Sequence, residues 1–277
     1  MFVCQIERPQ GRDDVAPPSE GVVMQATGKV GLFGAAGAAG QSIATALGAA
    51  GRDYRVVGRS RDVLQRTFGD DPHAEIVTWN PDDPASIRAA AAGLQTVIYL
   101  VGVPYDQFAQ HPPLMEKTLA GVTAAGVERF ILIGTVYPYG RARGNPVRED
   151  HPREPHTFKG RMRLEQEKLV LAAHGQKGLE TLVLRLPDFY GPGVERSLLH
   201  GVFVGAATGK RAQVPGQSHE KLFTRNGLRM GVVNCCEEAL TLGFAKSREW
   251  CGRRIRAVEF ARRVWGPEGS ACTHPGA

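Results

Sequence analysis

Between residues 5 and 234 this 277-residue chain has no cysteine. The five it does have, Cys4, Cys235, Cys236, Cys251 and Cys272, are odd in number and show no C-x-x-C spacing. That argues against a disulfide framework and a cysteine-held metal site, and predicts reduced thiols in a cytoplasmic protein with no metal. Long apolar runs are also missing. No stretch approaches about 18 consecutive apolar residues, so no transmembrane helix and no membrane partner are expected. The opening segment MFVCQIERPQGRDDVAPPSEG lacks the apolar centre of a signal peptide, and Glu7, Asp13, Asp14 and Glu20 argue against a transit peptide. Residues 1–27 read as a disordered leader, with Met24 as an alternative start.

A basic stripe is missing as well. The formal net charge is +6, yet residues 1–209 hold 22 basic and 22 acidic side chains, while residues 210–277 hold 12 and 6. The excess therefore belongs to the tail. It is a local excess and not a stripe across the folded body, so no nucleic-acid partner is expected.

What is present is alternation. Short β-branched or apolar runs at 29–33, 54–57, 75–78, 96–101, 129–133 and 181–186 read as strands. Helical stretches at 40–50, 61–68, 84–92, 112–125 and 160–174 separate them. Strands alternating with helices predict an α/β fold, a Rossmann-type doubly wound parallel sheet over residues 28–186.

The first strand runs into Gly34-Ala35-Ala36-Gly37-Ala38-Ala39-Gly40 and then a helix. Early glycines in such a loop allow a tight turn and close approach of backbone N–H groups to a pyrophosphate. The last lets the helix pack on the strand, with its positive end toward the phosphates. Gly34, Ala35, Ala36, Gly37, Ala38 and Gly40 are therefore the candidate dinucleotide cradle. The second strand ends in Gly58-Arg59-Ser60-Arg61, without the acidic residue that would take a ribose 2′-hydroxyl. An arginine there suits a 2′-phosphate, so Arg59 and Ser60 point to NADP, with NAD as the alternative.

Beyond this loop the chain resembles the NAD-dependent epimerase/dehydratase family, within the extended and atypical short-chain dehydrogenase/reductases, over roughly residues 28–225. The resemblance rests on the glycine loop and on three further segments. They are GLQTVIYLVGV at 93–103, FILIGTVYPYG at 130–140 and RLPDFYGPG at 185–193. It implies that Leu100, Val101 and Gly102 line the cofactor's riboses, and that Pro187, Phe189 and Tyr190 lie beside the nicotinamide. It implies further that Thr135 holds the substrate oxygen. A substrate lobe at 187–225 would follow, with His219 as a substrate contact or a plain surface histidine. The helices near 112–125 and 160–174 form dimer faces in this family, which makes a homodimer one expectation.

The family's Tyr-x-x-x-Lys pair is absent, since no tyrosine here is followed by lysine four residues on. Lys159 and Arg163 stand at the corresponding places. Three readings follow. Lys159 serves as acid/base with Arg163 on the ribose; or the protein binds NADP without redox chemistry, as a regulator or partner-binding module; or Tyr137 or Tyr139 relays the proton, although both read more simply as packing. The enzyme reading implies an oxidoreductase or epimerase acting on a hydroxyl- or carbonyl-bearing small molecule such as a nucleotide sugar. From about residue 226 the family pattern stops, and 226–277 reads as a diverged or poorly ordered tail.

Overall fold

The computed structural model describes residues 5–7, 28–143, 147 and 150–186. Seven strands form one sheet in the order β1-β7-β6-β5-β2-β3-β4. The central strands are β2 (Val30–Phe33), β5 (Thr96–Tyr99), β6 (Arg129–Thr135) and β7 (Glu180–Leu186). Outside β2 lie β3 (Tyr54–Gly58) and β4 (Ala74–Thr78). These six run parallel. This is the doubly wound, Rossmann-type architecture, and its strand order reverses between β2 and β5.

The sheet is buried on both faces because its strands carry large apolar side chains in both directions. On one face Val30, Leu32, Val56, Ile98, Ile131, Leu182 and Leu184 pack against Ile43 and Leu47 of α1 (Ala38–Ala49) and Leu64 and Phe68 of α2 (Arg61–Phe68). On the other, Phe33, Val57, Val97, Tyr99, Phe130, Leu132 and Val183 meet α3 (Pro84–Ala91), α4 (His111–Ala124) and α5 (Phe158–Ala172). The alternation Leu32/Phe33 and Ile131/Leu132 is the period-two pleat sending neighbours to opposite layers.

Helix starts follow local chemistry. Ser60 Oγ accepts from Val63 N at 3.4 Å, Asp83 Oδ1 from Ala85 N at 2.9 Å, and Thr157 Oγ1 from Gly160 N at 3.0 Å, each satisfying an otherwise unpaired donor of a first turn. Pro84 follows its cap at the start of α3, where a missing N–H costs nothing.

Two strand ends shift by two residues from the sequence reading. The fourth parallel strand ends at Tyr99, so Leu100 and Val101 leave the ladder and turn over the sheet's end. The fifth continues to Thr135, because its register with β7 holds through Thr135↔Leu186. The leader reading also needs correction at three residues. Gln5–Glu7 form β1, antiparallel to β7 in the register Gln5↔Arg185, Ile6↔Leu184, Glu7↔Val183. The rest of the leader, Met24, Pro187, Phe189, Tyr190, the lobe at 187–225 with His219, and the tail at 226–277 lie outside the described residues. Among the described residues no helix is long and apolar enough to cross a membrane, and no cluster of three His, Cys, Asp or Glu is placed to hold a metal.

Candidate functional site

The glycine loop occupies the reversal point of the strand order. Gly34 N donates to Val57 O at 2.9 Å, and Leu100 N donates to Phe33 O at 2.7 Å, so the loop is held between the ends of β3 and β5. Gly34 has φ +87°, and a Cβ there would lie 2.8 Å from Val101 N and 2.9 Å from Leu100 C. Both the left-handed backbone and the neighbouring chain therefore require glycine. A Cβ at Gly40 would sit 2.2 Å from Ala35 O, which is what allows α1 to pack down on the turn.

Gly37 differs from both. Its φ is negative and a Cβ would meet nothing nearer than Gly34 O at 3.9 Å, so neither backbone nor packing demands glycine. It is exposed and opens onto the crevice. As N-cap of α1 it offers no side-chain acceptor, and the first turn holds no acidic residue. The helix thus presents unpaired N–H groups and its positive end to that open space. Ala35 is buried, while Ala36 and Ala38 are half-buried around the opening.

On one side of the loop Arg59 follows β3, exposed and without an ion pair among the described residues. Ser60 beside it already caps α2. On the other side Leu100 and Val101 are half-buried and Gly102 is exposed.

The three candidate catalytic residues stand across the sheet end from the loop. Thr135 ends β6, and its Oγ1 accepts from Tyr137 N at 3.3 Å, leaving the hydroxyl proton available to donate. Lys159, in the first turn of α5, places Nζ 3.5 Å from the centroid of the Tyr105 ring. Tyr105 belongs to a short 3-10 turn, Tyr105–Gln110, after β5 and stacks on Phe108 with centroids 5.6 Å apart. Arg163, one turn further along α5, donates from Nη1 to Gln166 Oε1 at 2.7 Å. The side chain as a whole is half-buried, but its Nε is enclosed without a partner. Burial lowers its pKa from the ordinary value, and the neighbouring Tyr99, Glu167, Tyr137 and Tyr105 counter this.

Behind them lies a buried ion pair that the sequence reading missed. Arg185 of β7 donates from Nε and Nη2 to Glu167 of α5 at 2.7–3.1 Å, and from Nη1 to the Tyr139 hydroxyl at 3.0 Å. The two charged side chains are 0% and 2% exposed. Tyr139 is thereby committed to packing. The signal was an arginine inside the apolar strand TLVLRL, which needs a buried partner.

The chain shares its fold with solved structures of low sequence identity. MoeE5 in complex with UDP-glucose and NAD aligns at 24% identity over 77% of this chain and 70% of that one, with a TM-score of 0.61. The dTDP-glucose 4,6-dehydratase DesIV from Streptomyces venezuelae, with NAD and TYD bound, aligns at 18% identity over 65% of this chain and 62% of its own, TM-score 0.58. WbmG from Bordetella bronchiseptica, in complex with NAD, aligns at 18% over 70% and 62%, TM-score 0.57. The chain thus spans slightly less than two thirds of the latter two. No curated protein matches it. The model of the NAD dependent epimerase/dehydratase family matches residues 30–220, more than half of the chain, and this chain belongs to that family.

Proposed function

We propose that this protein binds a nicotinamide dinucleotide, NADP in preference to NAD, and acts as an oxidoreductase or epimerase on a hydroxyl- or carbonyl-bearing small molecule such as a nucleotide sugar. The observation that carries the reading is the open Gly37 at the strand reversal, where unpaired N–H groups of α1 face the crevice. A pyrophosphate fits there, since its charge meets the helix end and only the missing Cβ leaves it room. Leu100, Val101 and Gly102 would flank the riboses, and Arg59 would pair with a 2′-phosphate. When bound, the nicotinamide ring supplies the hydride acceptor or donor. The protein's part is to orient the substrate and move a proton. Thr135 donates its hydroxyl to the substrate oxygen, and Lys159, at the place of the family's tyrosine, brings positive charge to the same side.

Similarity to structures that hold NAD and UDP-glucose, or NAD and TYD, supports the cofactor and substrate classes. A second reading, a dinucleotide-binding regulator without turnover, is favoured by one observation. Lys159 and Arg163 are engaged with Tyr105 and Gln166 and do not stand free. Assaying cofactor turnover with a panel of nucleotide sugars and simple ketones separates the two.

Cofactor preference is tested by substituting Arg59→Asp and titrating NADPH and NADH by nicotinamide fluorescence. Losing a charge-assisted contact to the 2′-phosphate costs about 1.5–3 kcal/mol, a roughly 10- to 150-fold weaker NADPH affinity. NADH binding changes little, because no 2′-phosphate is involved. Equal weakening of both would contradict the assignment of Arg59.

A further inference from the structure

The geometry points to Tyr105, paired with Lys159, as the proton-exchanging hydroxyl of this site, supplied from the turn after β5 in place of the tyrosine that α5 lacks. This rests on the dinucleotide-binding reading above and adds to it the group that carries the proton.

Three observations converge on it. Tyr105 is 59% exposed, large and aromatic, at the carboxyl end of the sheet, three residues after Gly102. A merely structural tyrosine would bury more of its ring. Its ring is nonetheless held, stacked at 16° on Phe108, with the Lys159 ammonium over both rings, 3.5 Å from the Tyr105 centroid and 5.5 Å from that of Phe108. Its neighbours link it to the substrate-orienting hydroxyl. Arg163 lies within electrostatic reach of both Tyr105 and Tyr137, and Tyr137 N is bound to Thr135 Oγ1. The turn that carries Tyr105 and the turn Tyr137–Tyr139 that follows Thr135 both pack on α5, the helix that carries Lys159 and Arg163.

In carbonyl reduction the step balances as follows. The Tyr105 O–H bond breaks and its proton goes to the substrate carbonyl oxygen, the electron pair remaining on the phenolate. The carbonyl carbon is reduced by hydride from a reduced nicotinamide dinucleotide, which is oxidised. The phenolate faces the Lys159 ammonium until water returns the proton, which the exposure of Tyr105 permits. Lys159 is in this account a positioning residue that balances charge, and the proton itself travels on Tyr105.

Tyr105→Phe keeps the ring, the stacking and the cation contact, so folding is not at risk. With phenanthrenequinone as carbonyl probe, this variant lowers kcat for NADPH oxidation by about 10²- to 10⁴-fold while NADPH affinity is unchanged. Lys159→Met lowers kcat with little change in KM, and Lys159→Arg recovers most of it. A readout independent of turnover is nitration of the full chain by tetranitromethane, followed by peptide mapping. NADP at about 100 times its Kd leaves about 1% of chains free and slows nitration of Tyr105 at least ~10-fold. Unchanged kcat in Tyr105→Phe, no reduction by the unmodified chain despite NADPH binding, or no protection by NADP each overturns the assignment. Failure of the unmodified chain to bind NADPH instead overturns the underlying reading.

Discussion

Replacing Glu167 with alanine lowers the free energy of unfolding by about 3–5 kcal/mol, because it leaves the Arg185 guanidinium buried without its counter-charge. Arg185 is wholly enclosed, and its Nε and Nη2 both end on Glu167, so no water can take over. The Tyr139 hydroxyl, which accepts from Arg185 Nη1, is neutral and does not replace the lost carboxylate. The double substitution Glu167→Leu with Arg185→Met recovers most of the loss, since removing both charges also removes their desolvation cost. Glu165→Ala, which breaks only the exposed pair with Lys168, changes stability by about 0–1 kcal/mol. Urea unfolding of the three variants checks the series. A Glu167→Ala protein within about 1 kcal/mol of the parent would mean that this pair does not hold α5 to β7.

The second large effect appears in mild acid. His111 opens α4 and is 1% exposed, with neither ring nitrogen hydrogen-bonded and the Phe108 ring 4.8 Å away at 80°. Burial, with the Arg163 charge nearby, pushes its pKa down from 6.5 to about 3. The imidazole is therefore neutral in the fold but takes up a proton in the unfolded chain below about pH 6.5. Its stabilisation is complete above that pH and is lost as pH falls toward 3. The slope approaches one proton, about 1.4 kcal/mol per pH unit, and the total is on the order of 5 kcal/mol. Two carboxylates act in the same direction at lower pH. Asp71 is held below its ordinary 3.8 by the Tyr54 hydroxyl; at Glu75 burial, which alone would raise its pKa above 4.5, is outweighed by Arg55 and Lys29. The interval from pH 6.5 to about 4.5 isolates the histidine. Unfolding midpoints measured across it fall steadily for the parent chain and stay nearly level for His111→Phe. Parallel declines in the two would place the acid sensitivity elsewhere.

Much of the fold was legible because local and tertiary signals agree. Arg61–Phe68 was read to its ends, and in the structure Ser60 caps it while Leu64 and Phe68 share its buried face. All six parallel strands were placed because each carries a short apolar or β-branched run, even the half-buried Ala74–Thr78. Leu100 and Val101 look like strand by the same criterion, and they are apolar because each packs against a core layer just beyond Tyr99. The strand Gln5–Glu7 had no such signal. It is held by backbone pairing along an edge, which any side chains satisfy, and its composition is polar.

At the site, the glycine loop, Arg59 and Thr135 were visible as local motifs, whereas the partnerships between elements were not. Search for a lysine four residues after each tyrosine finds nothing, because Tyr105 and Lys159 meet from different elements and no fixed spacing joins them. Glu167 reads as one more charge on a polar helix until Arg185 is seen beneath it. The burial of His111 likewise depends on α5, which packs on α4 and carries Arg163 nearby, as well as on Phe108 three residues before it.

Titration of the parent chain and a Gly37→Glu variant with NADPH, followed by nicotinamide fluorescence, decides whether Gly34–Gly40 holds a dinucleotide. Gly37 has ordinary backbone angles and open space beyond it, so the substitution leaves the fold and its thermal unfolding intact. The parent is expected to bind NADPH saturably at one site, and the variant to lose that binding, its carboxylate standing where the phosphates belong. Equal binding by both, or none by the parent, would contradict the account.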